Sequence, residues 1–490
     1  MTESRGHLIG GSWHDGGGAP VASTDPATGQ TVWCGRAATE TEVEDAVSEA
    51  RQALVEWSDR KVEQRIECLR AFEQAVEAHR APLVEAICLD TGKPLWEARS
   101  EVDLMIAKVG VSIEAFEQRC GKQALSISGA TGTVGYRPHG VVAVLGPFNL
   151  PGHLPNGHIV PALLAGNTIV FKPSEFTPLV GQRTAEAWRE AGFPDGVLNL
   201  IQGGADTGRA LARHEDLNGL FFTGSYRVGQ RLSQLFADHP EKILALEMGG
   251  NNPLVVDGVE DLDAAAHLTV LSAFITAGQR CTCARRLIVP AGDAGDRFLE
   301  ILKRCIEGVR VGRWNDEPQP FHGPLISVKA AERLLEVQRD LVARGGRSLV
   351  EMKQCLDTPA LLTPGLLDVS TVKDRVDDEW FGPLLQLVRV KDLDEAIEEA
   401  SRTAYGLSAA LFSDSEPSWA KFYHRVRAGV VNWNRQTTGA SGRLPFGGVG
   451  RSGNHRPSGY YAVDYCAHPV ASLEAPRLEM PAKRLPGTGS

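Results

Sequence analysis

The 490-residue chain has no apolar run long enough to cross a bilayer, and no apolar core follows its Met1-Thr2-Glu3-Ser4-Arg5 start. Neither a spanning helix nor a secretory leader is therefore expected. It also lacks an excess of positive charge. The formal net charge is −10, which argues for no nucleic-acid partner and no membrane partner. An anionic substrate would then need a local basic cluster. Paired cysteines are missing too: Cys34, Cys68, Cys88, Cys120, Cys281, Cys283, Cys305, Cys355 and Cys466 are scattered and odd in number. No zinc-like pair of pairs exists, and His153 with His158 lacks a third ligand, so no metal is expected. Reduced thiols and a cytoplasmic location are the reading. There is no internal repeat and no low-complexity tract.

What is plentiful is glycine. The 52 glycines exceed the usual share of about 7%, as many tight turns and close backbone approaches require. The length predicts more than one domain with ample core. The first residues, to about Gly18, read as a small strand and turn, and Thr39 to about Glu117 is helical in its spacing. Gly121–Pro138 reads as a protruding hairpin, and the Pro-, Arg- and Gly-rich end as loosely ordered.

Between them, short apolar runs at Val141–Leu145, Thr168–Phe171, Val197–Ile201, Leu220–Phe222 and Ile243–Leu246 alternate with helix-compatible segments at Gly152–Leu164, Leu179–Ala191, Thr207–Arg213 and Val228–Phe236. Strand–helix units of this length predict an α/β, doubly wound parallel sheet, with ligands beyond the carboxyl ends of the strands. A second alternation starts near Pro253. In it Asp261–Ala277 reads as a buried helix that Gly278 caps before Cys281.

The chemistry-bearing residues fall at the strand ends. Gly278-Gln279-Arg280-Cys281 offers a thiol and Leu246-Glu247-Met248-Gly249-Gly250 a carboxylate. A soft nucleophile adds to a carbonyl and holds it covalently; a carboxylate activates water against the adduct. Asn149, between Pro147 and Pro151, is an amide able to donate to an oxyanion, or an Asn that satisfies a turn. Gly224, Ser225 and Gly229, between a strand and a helix, suit a pyrophosphate or an ordinary glycine turn; the segment departs from the usual dinucleotide fingerprint. Lys172 and Glu175 follow another strand, where a carboxylate accepts ribose hydroxyls and repels a 2′-phosphate. Glu379 and Phe381 offer a carboxylate for a second ribose and an aromatic wall for a nicotinamide ring.

Taken in order, Pro147–Pro151, Lys172–Glu175, Phe222–Gly229, Leu246–Gly250, Gly278–Cys281, Glu379–Pro383 and Pro445–Gly448 make the chain resemble the aldehyde dehydrogenase superfamily over nearly its whole length. The resemblance implies an NAD-dependent oxidation, with Cys281 as nucleophile, Glu247 as general base and Asn149 as oxyanion donor. It places Lys172, Glu175, Gly224, Ser225, Gly229, Glu379 and Phe381 on NAD. It implies a Rossmann-type dinucleotide-binding domain (1–119 and 140–249), an α/β catalytic domain (250–447) and a small β element (120–139 and 460–490) that bridges subunits of a homodimer or homotetramer. Cys283 is not carried over as catalytic.

Gly152–His158, Gln279–Arg286 and Gly453–Ser458 narrow the resemblance to members that act on a small anionic aldehyde carrying two carboxylates. Arg280, His455 and Arg456 are the basic candidates for reading that charge, since Arg pairs with carboxylate bidentately. Arg456 fits a folding or subunit role equally well, and Arg285 and Arg286 are expected to be structural. A dehydrogenase for another acidic semialdehyde, or a non-catalytic member of the fold, remains open at this point.

Overall fold

The computed structural model describes residues 4–127, 130–355, 357–480 and 486–487. Residues 1–3 of the expected first domain, 128–129 of the expected hairpin, and 481–485 and 488–490 of the expected loose end lie outside them.

Two seven-stranded sheets carry the fold. In the first, the order is Ile243–Met248, Gly219–Gly224, Val141–Leu145, Thr168–Lys172, Leu198–Leu200, His7–Ile9, Ser12–His14. The first five strands are parallel, and the N-terminal hairpin joins antiparallel at the edge. Val141–Leu145 and Thr168–Lys172 are buried at every position, as strands covered by helices on both faces must be. The helix His153–Ala165 has only its first residue partly exposed. Glu40–Asp59 begins on a Thr39/Glu42 capping box. Trp57 donates its indole N–H to Leu163 O at 3.2 Å, and Phe72 stacks on Trp188 at 3.6 Å between centroids.

In the second sheet the order is Arg347–Val350, Gly365–Asp368, Leu384–Val390, Ala284–Pro290, Asn252–Val256, Ser408–Phe412, Val430–Trp433, with all pairs parallel except the first. A third, three-stranded sheet pairs Gln123–Ile127 with Ala130–Pro138, and that strand with Ala467–Glu474. The sequence-based strand and helix positions around the first sheet agree with those observed to within about two residues.

One expectation needs correction. The helix read as Asp261–Ala277 stops at Phe274. Thr276 and Ala277 take left-handed backbone, φ 56° and 53°, and Gly278 follows at φ 72°. Two non-glycine residues in that region are strained. The Thr276 hydroxyl is held by Glu97 from the helix Leu95–Arg119, which fixes the turn in a conformation that apolar periodicity does not encode.

Asn167 joins the first sheet to the C-terminal segment. Its Oδ1 accepts the His139 and Gly140 N–H groups at 2.8 and 3.1 Å, and its Nδ2 donates to Ala162 O and Cys466 O at 2.9 and 2.8 Å. Asn167→Ala leaves those buried groups unpaired and is expected to cost about 2–4 kcal/mol. A urea titration reads this as a lower midpoint at unchanged slope; a loss below about 1 kcal/mol would show that the bridge adds little.

Candidate active site

The chain crosses from one sheet to the other through Gly249-Gly250-Asn251, between the strands Ile243–Met248 and Asn252–Val256. Glu247, next to last in the first of these, is fully buried and its Oε1 makes no hydrogen bond within the protein. Its backbone is pinned by the segment Gly453-Asn454. Asn454 accepts the Leu246 N–H at 2.7 Å, donates its side-chain amide to Leu244 O at 3.0 Å and its own N–H to Leu246 O at 3.1 Å. Gly453 bridges Glu247 directly. The open edge of the sheet is thereby closed.

Cys281 lies between the strained turn and the strand Ala284–Pro290. Side chains from several elements hold this loop. Arg285 donates to Gly278 O at 2.6 Å and Arg280 O at 2.9 Å, and Asn252 donates to Cys281 O at 2.7 Å and Cys283 O at 2.9 Å. Asn149 donates to Gln279 O at 2.9 Å, and Gln279 accepts the Ile326 N–H at 3.0 Å. So fixed, the Cys281 thiol lies close enough to the Glu247 carboxyl for each to shift the other's proton affinity.

The electrostatics follow from burial. Desolvation, with repulsion from Glu379, pushes Glu247 up to about 8. Desolvation pushes Glu379 up to about 7, against the opposing pull of Arg285. Cys281 is raised well above the ordinary thiol by desolvation first, and then by the charges of Glu247 and Glu379. Glu379 accepts the Gly250 N–H at 3.0 Å, and its carboxyl lies so close to Gly249 that a Cβ there would overlap it. The group is thus a thiol and two carboxyls competing for protons, which suits proton transfer near neutral pH.

Of the residues assigned from sequence to a dinucleotide, Lys172, Glu175, Gly224, Ser225 and Gly229 sit at the carboxyl ends of strands of the first sheet or just beyond them, and Glu379 and Phe381 come from the segment before Leu384–Val390 of the second. Lys172 is buried, donating to Pro173 O at 2.8 Å and Gly203 O at 3.0 Å, with Glu175 exposed nearby. Gly224 ends its strand, and Ser225 heads the helix Tyr226–Phe236 without making a side-chain capping bond. Gly229 packs on Met248. An open helix start and, two strands away in the same sheet, a buried lysine fit a pyrophosphate and its sugar. Phe381 meets Phe148 edge-on at 6.1 Å and lies 5.1 Å from the Arg285 guanidinium.

A cavity of about 140 Å³ opens at Cys281, lined among others by Asn149, Leu104, Lys108, His153, Arg280, Thr438, Ser441, Phe446 and Ser458. Arg280 lines it, yet its guanidinium is committed to Glu97 at 2.9 Å and to Thr276 at 2.8 Å. His455 is exposed and Arg456 donates to Gly448 O at 2.7 Å; neither is part of the lining. His158 uses both ring nitrogens within the protein, on Tyr465 and Thr223, as a core histidine. Sequence reasoning passed over Lys108, Glu97, Glu101, Asn252 and Asn454. For Glu97 and Glu101 the available signal was a pair of acids one helical turn apart on the otherwise apolar face of Leu95–Arg119.

A family model, the aldehyde dehydrogenase family, matches residues 13–470. The chain is 53% identical over 481 residues to the N-succinylglutamate 5-semialdehyde dehydrogenase of Ectopseudomonas mendocina, covering 98% of this chain and 99% of that protein. Among solved structures it superposes on a 1-pyrroline-5-carboxylate dehydrogenase from Thermus with bound NAD, with TM-score 0.90, 28% identity and coverage of 96% and 93%. It also superposes on an NADP-dependent glyceraldehyde-3-phosphate dehydrogenase from Bacillus halodurans complexed with NADP, with TM-score 0.89, 29% identity and coverage of 96% and 99%.

The raised Cys281 has a direct readout. In the ligand-free protein its alkylation by iodoacetamide, followed at that peptide by mass spectrometry, is expected to keep climbing above pH 9. An ordinary thiol, with a pKa of about 8.5, is by then mostly ionised. A rate already level at pH 8 would contradict the thiol–carboxyl crowding.

Proposed function

The chain belongs to the aldehyde dehydrogenase family and is an aldehyde-oxidising oxidoreductase, and from that premise we propose that it oxidises N-succinyl-L-glutamate 5-semialdehyde to N-succinyl-L-glutamate with NAD, in arginine degradation through succinylated intermediates. One observation carries the chemistry: a thiol that lines a cavity without Asp or Glu lies beside a buried carboxyl, raised by desolvation to about 8, closely enough for each to shift the other. The substrate assignment draws on the full-length likeness to a protein of that name.

In this reading Cys281 attacks the aldehyde carbon, and its proton passes to the adjacent Glu247 carboxylate. Asn149 and the Cys281 backbone N–H hold the oxyanion of the thiohemiacetal, in a site where fixed donors need no reorganisation. Lys172, Glu175, Gly224, Ser225 and Gly229 bind the adenosine and pyrophosphate side of NAD, and Glu379 with Phe381 its nicotinamide end. NAD supplies the hydride acceptor. Oxidation of the bound carbon leaves an acyl thioester on Cys281. Glu247 then gives the thiol's proton up to solvent and takes one from water as the hydroxide adds to the thioester; the thiolate leaves and takes the proton of the acid product, which departs as the carboxylate. The exposed strand Gln123–Ile127, with Leu125 and Ile127 outward at the edge of its sheet, we assign to pairing between copies in a homodimer or homotetramer.

Glu247 must be ionised to act as base, so turnover limited by deacylation is expected to rise with pH through about 8 and level above it. Glu247→Gln should remove that rise and slow steady turnover roughly 100-fold or more, while a rapid burst of NADH persists. An unchanged steady rate would exclude the role. The substrate is tested by comparing kcat/KM for the succinylated and unsuccinylated glutamate semialdehydes. The succinylated one should be preferred by at least tenfold, on the order of one lost charged contact; preference for the other would replace the assignment.

A further inference from the structure

We propose that Lys108 is the carboxylate-binding group of the substrate cavity, taking an aldehyde that carries a carboxylate away from its reacting carbon. The proposal deepens the reading above and rests on it only for which anionic aldehyde is the natural one.

The helix Leu95–Arg119 presents one stripe to the catalytic loop: Glu97, Glu101, Leu104 and Lys108. The first two charges are answered inside the protein. Glu97 pairs with Arg280 at 2.9 Å and holds Thr276. Glu101 pairs with Lys93 at 2.5 Å and accepts the Gly152 and His153 N–H groups at 2.8 and 3.2 Å. Lys108 is answered differently. It is 5% exposed, and its Nζ donates to a single carbonyl, Gly459 O, at 3.2 Å. Among the described residues no carboxylate pairs with it. A buried ammonium with three donors and one neutral acceptor is desolvated without compensation, unlike Lys93 on its acid.

The surroundings decide what is missing. Leu104, Lys108 and Gly459 all line the cavity that holds Cys281, and no Asp or Glu lines it. The other basic group there, Arg280, is already neutralised by Glu97. His153, also in the lining, has a buried Nδ1 with no partner, and desolvation followed by Lys108 and Arg280 lowers it to about 3, so it is a neutral imidazole. Burial lowers Lys108 itself to about 8, leaving it mostly charged at neutral pH. A largely uncompensated positive charge and the hydroxyl-bearing side chains of Thr438, Ser441 and Ser458 thus line one space with the nucleophile. An anion entering it gains a charge-assisted bond that the folded chain does not already make.

The test compares the unchanged protein, Lys108→Met and Lys108→Arg on a neutral aliphatic aldehyde, a semialdehyde with one carboxylate, and N-succinylglutamate 5-semialdehyde. Calorimetric binding of N-succinylglutamate is measured alongside. The Met variant is expected to lose about 100-fold in the ratio of kcat/KM for anionic over neutral aldehyde, chiefly through KM, with weaker product binding in parallel. The Arg variant should recover most of that ratio. An unchanged ratio, or an equal fall on all three aldehydes with product binding intact, would make Lys108 a packing residue and overturn the proposal. If the unchanged protein prefers the semialdehyde with one carboxylate to the succinylated one, the substrate reading fails, while the ratio in the Met variant still decides the role of Lys108.

Discussion

Burial of the Glu247 carboxyl is the constraint on which the rest of the site depends. A carboxylate in water has a pKa near 4.3 and is a weak base at neutral pH. Enclosed at the end of a parallel strand, with Glu379 close by, it is raised to about 8, where a proton can be taken up and given back during turnover. That enclosure has to be built from backbone, because any cation placed beside the carboxyl would lower it again. The protein closes the sheet edge with Gly453 and Asn454, whose hydrogen bonds run to Leu244 and Leu246 and leave the Glu247 side chain alone. The carboxyl is therefore fixed in position without being neutralised.

Bringing sulfur to that carboxyl imposes a second condition. Cys281 follows a helix that would carry it elsewhere if it continued. Three successive left-handed residues, Thr276, Ala277 and Gly278, turn the chain out of the helix, and such a turn persists only where its surroundings over-determine it. Glu97 holds Thr276, Arg285 holds Gly278 O and Arg280 O, and Asn252 holds Cys281 O. Arg280 belongs to this scaffold through its pair with Glu97. Its place beside the nucleophile in sequence marks it as a clamp on the loop as much as a wall of the cavity.

Much of this was legible in the sequence, and the reason is physical. Parallel strands buried on both faces are continuous apolar runs, so Val141–Leu145 and Thr168–Lys172 announced themselves, and strand ends in such sheets are where ligands bind. Asn149, Lys172, Ser225 and Glu247 could be picked out by that rule before any coordinates. The turn at Thr276 could not, since two left-handed non-glycine residues leave no mark on hydrophobic periodicity. Nor could Lys108: in an isolated helix a lysine reads as solvated, and only the packing of the Leu95–Arg119 face against the loop shows that it is enclosed. His455 and Arg456, read from sequence as basic candidates, stand outside the lining of the Cys281 cavity; the backbone at both is left-handed and one nitrogen of the Arg456 guanidinium donates to Gly448 O.

The C-terminal segment ties the two sheets and the helical layer together around the site. Ser452 donates to Gly249 O at 2.7 Å and accepts the Gly406 N–H at 2.9 Å, tying the crossover between sheets to the second one. Asn454 secures the strand of Glu247. Gly459 O receives Lys108 from the helix Leu95–Arg119, and Tyr465 bonds His158 at 2.6 Å and Pro457 O at 3.1 Å. Cys466 O is held by Asn167. About fifteen residues thus touch the base-bearing strand, the crossover, the substrate cavity and the first sheet in turn. Through this one segment the two sheets are tied to each other by hydrogen bonds that end on Leu246 and Gly249, the backbone on either side of Glu247.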